Sequence, residues 1–386
     1  MVTPVVTRII SITLSLCLIV TWSRGKEIDD ETKINPRLRL ISVAVLMRHA
    51  DRNPSHTFPD DPHPPDDLTE WPEGNGMLNQ RGRERATELG AWIRRRYGNL
   101  LGSGSCSVSV MVGSLQRVTD TACLVLRAVT GARDCDPVID DRMLGDPTKL
   151  IGDCPVVDAI LQKVSGNPSR MQSVERYYSA IGKATGWSNE TMHTADIRHL
   201  MQPLQADVDE DKSLPEWATS DMLRLIESMS AAEYCAMFAH PLVAFMYQFA
   251  FVTELRDRFV GDEDPDRLQL FVAHGTRVVA VLNSLFHHAD YDLLDDHHNI
   301  AYSDTLLFEL YEDDETGLRF VRSFFVSPAH GYRTVLLSPP SCHQLSFCPV
   351  ADFFASVAHF RVQDYDHECH KKYGKIDAEK VARCFP

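Results

Sequence analysis

Arg48, His49 and Arg52 fall together directly after the apolar run Ile41 to Met47. A guanidinium offers a planar, two-pronged set of donors that matches phosphate oxygens. An imidazole between two such cations has its charged form disfavoured, so it stays neutral and keeps a lone pair. Together these residue types could carry out attack of that lone pair on phosphorus. A bare Arg-His pair after a strand can also be no more than a surface salt bridge, so the motif must be weighed in its context. A second polar cluster, Ala273-His274-Gly275-Thr276, follows the apolar run Leu268 to Val272 in the same manner. Taken alone, His274 reads as a structural histidine as readily as a functional one.

Both clusters need a strand to place them. Ile41 to Met47 is short, apolar and rich in β-branched residues, as is a strand buried on both faces. Pro54 prevents its continuation. Open α/β sheets bind their ligands at the carboxyl ends of such strands. Helical periodicity runs over 79–100, with Leu89, Trp92, Ile93 and Tyr97 on one side. Ser107 to Val112 alternates as a strand does, and Val118 to Val129 and Val278 to Leu285 read as helices. Thr305 to Tyr311 and Leu318 to Val326 read as a hairpin. This alternation predicts an α/β fold of three layers, a mainly parallel sheet flanked by helices. Amphipathic segments at 156–164, 171–186, 219–229 and 232–259 predict an inserted, mostly α-helical cap domain beside the sheet. The expected division is a core of 38–150 and 263–345, a cap of 151–262, and a C-terminal helix (Phe347 to Ala358) and tail within 346–386. The acidic run Asp207 to Asp211 reads as a solvated turn.

At 386 residues the chain is long for one compact core, which again points to two lobes. A net charge of −15 argues against nucleic acid or an anionic membrane as partner, so any anion site must be a local basic pocket. Arg8, the apolar run Ile9 to Trp22 and Ser23-Arg24-Gly25 predict a secretory signal peptide cleaved near Gly25, with an uncleaved anchor as the alternative reading. No later stretch is apolar for long enough to span a bilayer, so the expected product is secreted and extracellular, without stable membrane insertion. Asn189-Glu190-Thr191 is an acceptable N-glycosylation site. His287-His288 and His297-His298 lie among aspartates without regular ligand spacing, and no Cys-x-x-Cys pair occurs, so no metal is expected. Arg94-Arg95-Arg96 reads as a solvated helix end. Gly102-x-Gly104 lacks a phosphate-binding fingerprint, and no cofactor is implied.

Several linked motifs extend the first cluster. They are Arg48-His49-Ala50-Asp51-Arg52-Asn53-Pro54, Thr57-Phe58-Pro59 with Asp61-Pro62, Trp71-Pro72-Glu73-Gly74, Leu78 to Gly82, and Glu88-Leu89-Gly90 with Arg94 to Tyr97. In these the chain resembles the histidine acid phosphatase family, most clearly its secreted prostatic type. The resemblance implies hydrolysis of phosphate monoesters through a phosphohistidine on His49, with Arg48, Arg52 and His274 holding the phosphoryl group. It also implies disulfides Cys154–Cys369 and Cys342–Cys348, and allows a homodimer. Ser303 stands where one cysteine of a further family bridge is expected. Ten cysteines occur, and losing Cys17 with the signal leaves nine. Of the remainder, Cys106, Cys123, Cys135, Cys235 and Cys384, the pairing expected here is Cys106 with Cys135.

The chain also departs from the family. Gly275 stands where an aspartate protonates the leaving oxygen, and Gly113 where a third arginine is expected. Ala50 replaces a glycine, which matters if that residue needs a positive φ. Arg117 and Arg277 lie close in sequence to the vacated places and could restore part of the charge. General acid assistance is worth about 10²–10⁴ in rate, and an arginine on the transferring charge a comparable factor. The expectation is therefore an acid phosphatase with impaired activity. The alternative is an inactive secreted relative that binds a phosphorylated ligand or a protein partner.

Overall fold

The computed structural model describes residues 36–102, 108–141, 154–165, 168–187, 194–238, 240–261, 266–286, 300–358 and 369–370. The chain opens with β1 (Leu38–Arg48), α1 (Gln80–Leu101), β2 (Val108–Val112), α2 (Gln116–Thr130) and the short β3 (Val138–Ile139). Five helices follow, α3 (Pro155–Ser165), α4 (Pro168–Thr185), α5 (Thr194–Asp209), α6 (Ser220–Met237) and α7 (Pro241–Val260). The chain then returns to the sheet through β4 (Leu268–Ala273) and α8 (Gly275–Phe286). It ends in β5 (Thr305–Asp313), β6 (Arg319–Ser327), β7 (Arg333–Leu337), β8 (Cys348–Pro349) and α9 (Val350–Phe353).

All eight strands join one sheet in the order β3-β2-β4-β1-β5-β6-β7, with β8 on β6. β1 to β4 are mutually parallel, and β5, β6 and β7 continue as an antiparallel meander. Val43 to Met47 are fully buried, as a strand covered on both faces requires. Because side chains alternate along a strand, Val43, Val45 and Met47 join Leu268, Leu270 and Val272 in a core with α1 and α2. Ala44, Leu46, Phe271 and Ala273 face the opposite core, shared with α8 and the cap helices α3 to α7. Three layers result.

The cap differs from its sequence reading in detail. The segment expected over 232–259 divides at Pro241, which begins α7 in the first-turn position proline tolerates. The acidic run expected to be a solvated turn belongs in part to α5, where Asp207 is only 1% exposed. Local composition records the charge but not the loop that packs over it. The helix expected from Phe347 is also shorter. Cys348 and Pro349 pair with β6, so helix begins only at Val350 and yields to a 3₁₀ turn at Ala355–Val357.

Disulfides join Cys154 to Cys369 and Cys342 to Cys348. Cys135 pairs with Cys123, not with Cys106 as expected. The chain leaves α2 through Gly131 at φ 74° and doubles back, bringing the two Cα atoms to 5.5 Å. Cys106, Asn189, His287, His288, His297, His298 and the expected signal peptide lie outside the described residues. Among the described residues no helix is long and apolar enough to cross a membrane.

Candidate active site

The site is set by strand register. β1 and β4 run parallel with Arg48 opposite Ala273. His49 and His274 therefore leave adjacent strands at the same level, and the His49 amide donates to the Ala273 carbonyl at 2.9 Å. Their rings meet edge to face with centroids 5.4 Å apart. His49 meets α2, and Arg48 meets the loop before β5.

His49 is buried, 3% exposed. Its Nδ1 lies 2.9 Å from the Ala50 carbonyl oxygen, so this nitrogen carries the proton and Nε2 the lone pair. Burial lowers the imidazole pKa well below its ordinary value, and the charges of Arg117, His274, Arg48 and Arg52 lower it further. The ring is thus neutral at working pH and points a nucleophilic nitrogen into a cationic pocket. Ala50 does not take a positive φ. Its amide donates to Thr121 Oγ1 on α2, so the alanine costs the loop nothing.

The segment after β1 is held by the one before α1. Arg52 bridges to Leu78, the Asn53 amide donates to Met77 O, and the Gly76 amide donates to Pro54 O. Gly76 has φ 64°, a conformation that side chains resist, and its missing Cβ leaves room for Ser55 and Arg117. Arg52 is buried, and desolvation lowers its pKa. Its Nη1 donates to Asn53 O at 2.7 Å, and its Nη2 donates to Gln202 Oε1 on the cap helix α5. Its buried Nε has no hydrogen-bond partner. Arg48 lies along Tyr302, its guanidinium 4.0 Å from the ring centroid, and donates to the Ile300 carbonyl.

Two expected losses resolve differently. The charge expected to vanish with Gly113 is present, because Arg117 in the first turn of α2 brings its Nε to 3.3 Å from His49 Nε2. Gly113 itself is a buried residue just beyond β2. Arg277 takes no such place, since it is 1% exposed and donates to the Tyr247 carbonyl of α7. Position 275 does lack an acid. A Cβ built there would lie 3.3 Å from Arg48 Cδ and 3.5 Å from Arg48 Nε, so Gly275 borders the same pocket.

Sequence reasoning missed Tyr302 and Gln202. The Tyr302 ring centroid is 5.7 Å from that of His49. Neither residue belongs to a motif, and both reach the site only through tertiary packing. Taken together, one neutral nucleophile, three guanidiniums, a second imidazole and a phenol converge on a space suited to a tetrahedral oxyanion.

A family model described as the histidine phosphatase superfamily (branch 2) matches residues 39–235. The chain is 24% identical to prostatic acid phosphatase of Bos taurus over 392 aligned positions, covering 94% of this chain and 95% of that one. It is 23% identical to lysosomal acid phosphatase of Homo sapiens, covering 88% of this chain and 82% of that one. Among solved structures, Hafnia alvei phytase in complex with tartrate superposes with a TM-score of 0.65 at 18% identity, over 84% of this chain and 98% of that one.

Proposed function

This chain belongs to branch 2 of the histidine phosphatase superfamily, and we propose that it hydrolyses phosphate monoesters through a phosphohistidine formed on His49. The observation that carries this reading is the pinned tautomer of His49, whose Nε2 faces Arg117 while Nδ1 is tied to Ala50. In the first step Nε2 attacks phosphorus and the ester oxygen leaves. Arg117 exchanges its contact with Nε2 for phosphoryl oxygens, joined by Arg48, the Nε edge of Arg52, and His274. In the second step water attacks the phosphohistidine and releases phosphate.

With Gly275 in place of an acid, position 275 gives no proton to the oxygen of an alkyl ester, which must be protonated as the bond breaks. Activated aryl esters leave unaided and are turned over. Incubation with a radiolabelled activated aryl phosphate at acidic pH is expected to place an acid-labile label on His49, and His49→Ala to abolish label and turnover together. Absence of both from the wild type, with phosphate binding retained in calorimetry, favours the second reading of a non-catalytic relative that binds a phosphorylated ligand or protein partner. The motive for that reading is Gly275. Gly275→Asp is expected to raise alkyl ester turnover selectively, as its carboxyl would lie beside the pocket.

Export through the signal ending near Gly25 fits the three disulfides among the described residues. Residues 151–262 would act as one cap, with Gln202 its contact on the phosphate site.

A further inference from the structure

We infer that Tyr302 is the proton donor to the leaving oxygen in this chain, taking over the task left vacant at Gly275. The inference rests on the phosphohistidine reading above.

Four observations place the phenol. Its ring centroid is 5.7 Å from that of His49, so it shares the pocket of the nucleophile. The Arg48 guanidinium lies 4.0 Å from its ring centroid. Tyr302 lies near enough to the Arg52 guanidinium to favour its charge. The side chain is 9% exposed, at the edge of the buried set and not sealed within it.

The nearby carboxyl groups are committed elsewhere. Asp304 accepts from Ser327 Oγ at 2.6 Å and from the Ala301 amide at 2.8 Å. Asp51 pairs with Arg85 at 2.8 Å. The same Arg48 that lies on Tyr302 also borders the missing side chain of residue 275. The phenol and the place where the acid is absent therefore border the same arginine.

The step balances as follows. The Nε2 lone pair of His49 forms the N–P bond, and the P–O bond to the alcohol breaks with its electron pair on the leaving oxygen. That oxygen takes the Tyr302 hydroxyl proton, and the resulting phenolate stands near the positive charges of Arg48 and Arg52. In the second step a water gives one proton to the phenolate while its oxygen attacks phosphorus. Phosphate departs, and both His49 and the phenol are restored.

The test is Tyr302→Phe, which keeps the ring and its stack on Arg48 and removes only the hydroxyl. kcat/KM is measured for an alkyl phosphate and for an activated aryl phosphate, alongside the melting temperature. The expected result is a fall of about 10²–10⁴ on the alkyl ester, with the aryl ester retained within a small factor. Both esters falling equally, or neither falling, overturns the inference while leaving aryl turnover and the phosphohistidine intact. A wild type inert on both esters removes the phosphohistidine reading and this inference with it.

Discussion

At His49 a lone pair is set against the cations around it. Burial and four neighbouring positive or polarisable groups all disfavour protonation, which favours the neutral imidazole. In the proposed reaction the same neighbours accept the charge that arrives with phosphate. Arg117 is the member that composition and motif position did not mark as essential, yet its Nε is the group against the nucleophilic nitrogen. Arg117→Ala is expected to lower kcat/KM on an aryl phosphate by about 10²–10³, the range for removing one donor to transferring charge. Arg277→Met should leave aryl turnover nearly unchanged and lower the melting temperature, since that guanidinium ties α8 to α7. A kinetic loss in the Arg277 variant larger than in the Arg117 variant would reverse these assignments.

The strands and helices explain which parts of this arrangement could be read in advance. Two buried strands announce themselves as apolar runs, and the polar residues that end them must fall at neighbouring positions because the strands pair in parallel. Arg48, His49, Arg52 and His274 were legible for that reason. Tyr302 and Gln202 were not, because one lies on a loop before β5 and the other on a cap helix, and no local pattern shows what they approach. The position of Arg117 depends in turn on how α2 sits against α1. Gly90 makes that contact close: a Cβ there would lie 2.6 Å from Ala128 Cβ and from the Val125 carbonyl. Gly90→Ala must push the helices apart, a strain that in packed interiors costs about 1–3 kcal/mol. Because α2 also carries Arg117, the variant is expected to lose aryl phosphate turnover as well as stability. Gly98→Ala, where a Cβ meets nothing within 4 Å, serves as the control and should lose neither.

Across the whole molecule, buried acids couple stability to pH. Asp207 lies in the last turn of α5, where the helix dipole disfavours a carboxylate, and both its oxygens are buried without hydrogen-bond partners. It faces Asp61, His63 and Glu70 from the loop before α1, and Lys212 beyond its own helix. Burial raises its pKa from 3.8 to about 7, and burial raises that of Asp304, between Arg48 and Ser327, to about 7 as well. Between these values each of the two acids binds more protons in the folded chain than in the unfolded one, so together they give stability a negative slope against pH, opposed below about 6.5 by the single buried imidazole of His49. The contribution is full below about pH 4 and is lost as pH rises through about 7. The seam between cap and core is therefore tightest in acid, and α5 brings Gln202 of that same cap to Arg52. The melting temperature is expected to fall by roughly 3–8 °C between mildly acidic and mildly alkaline buffer, taking about 2–4 °C for each kcal/mol in a chain of this size. Asp207→Asn, which keeps the shape and cannot ionise, should flatten that slope and exceed the wild type in stability at the alkaline end. Calorimetry showing the wild type to gain stability from acid to alkaline buffer, or the Asn variant to keep the full slope, would place the coupling elsewhere. With the expected sign, the contact of Gln202 with Arg52 at the proposed phosphate site is best supported under acidic conditions.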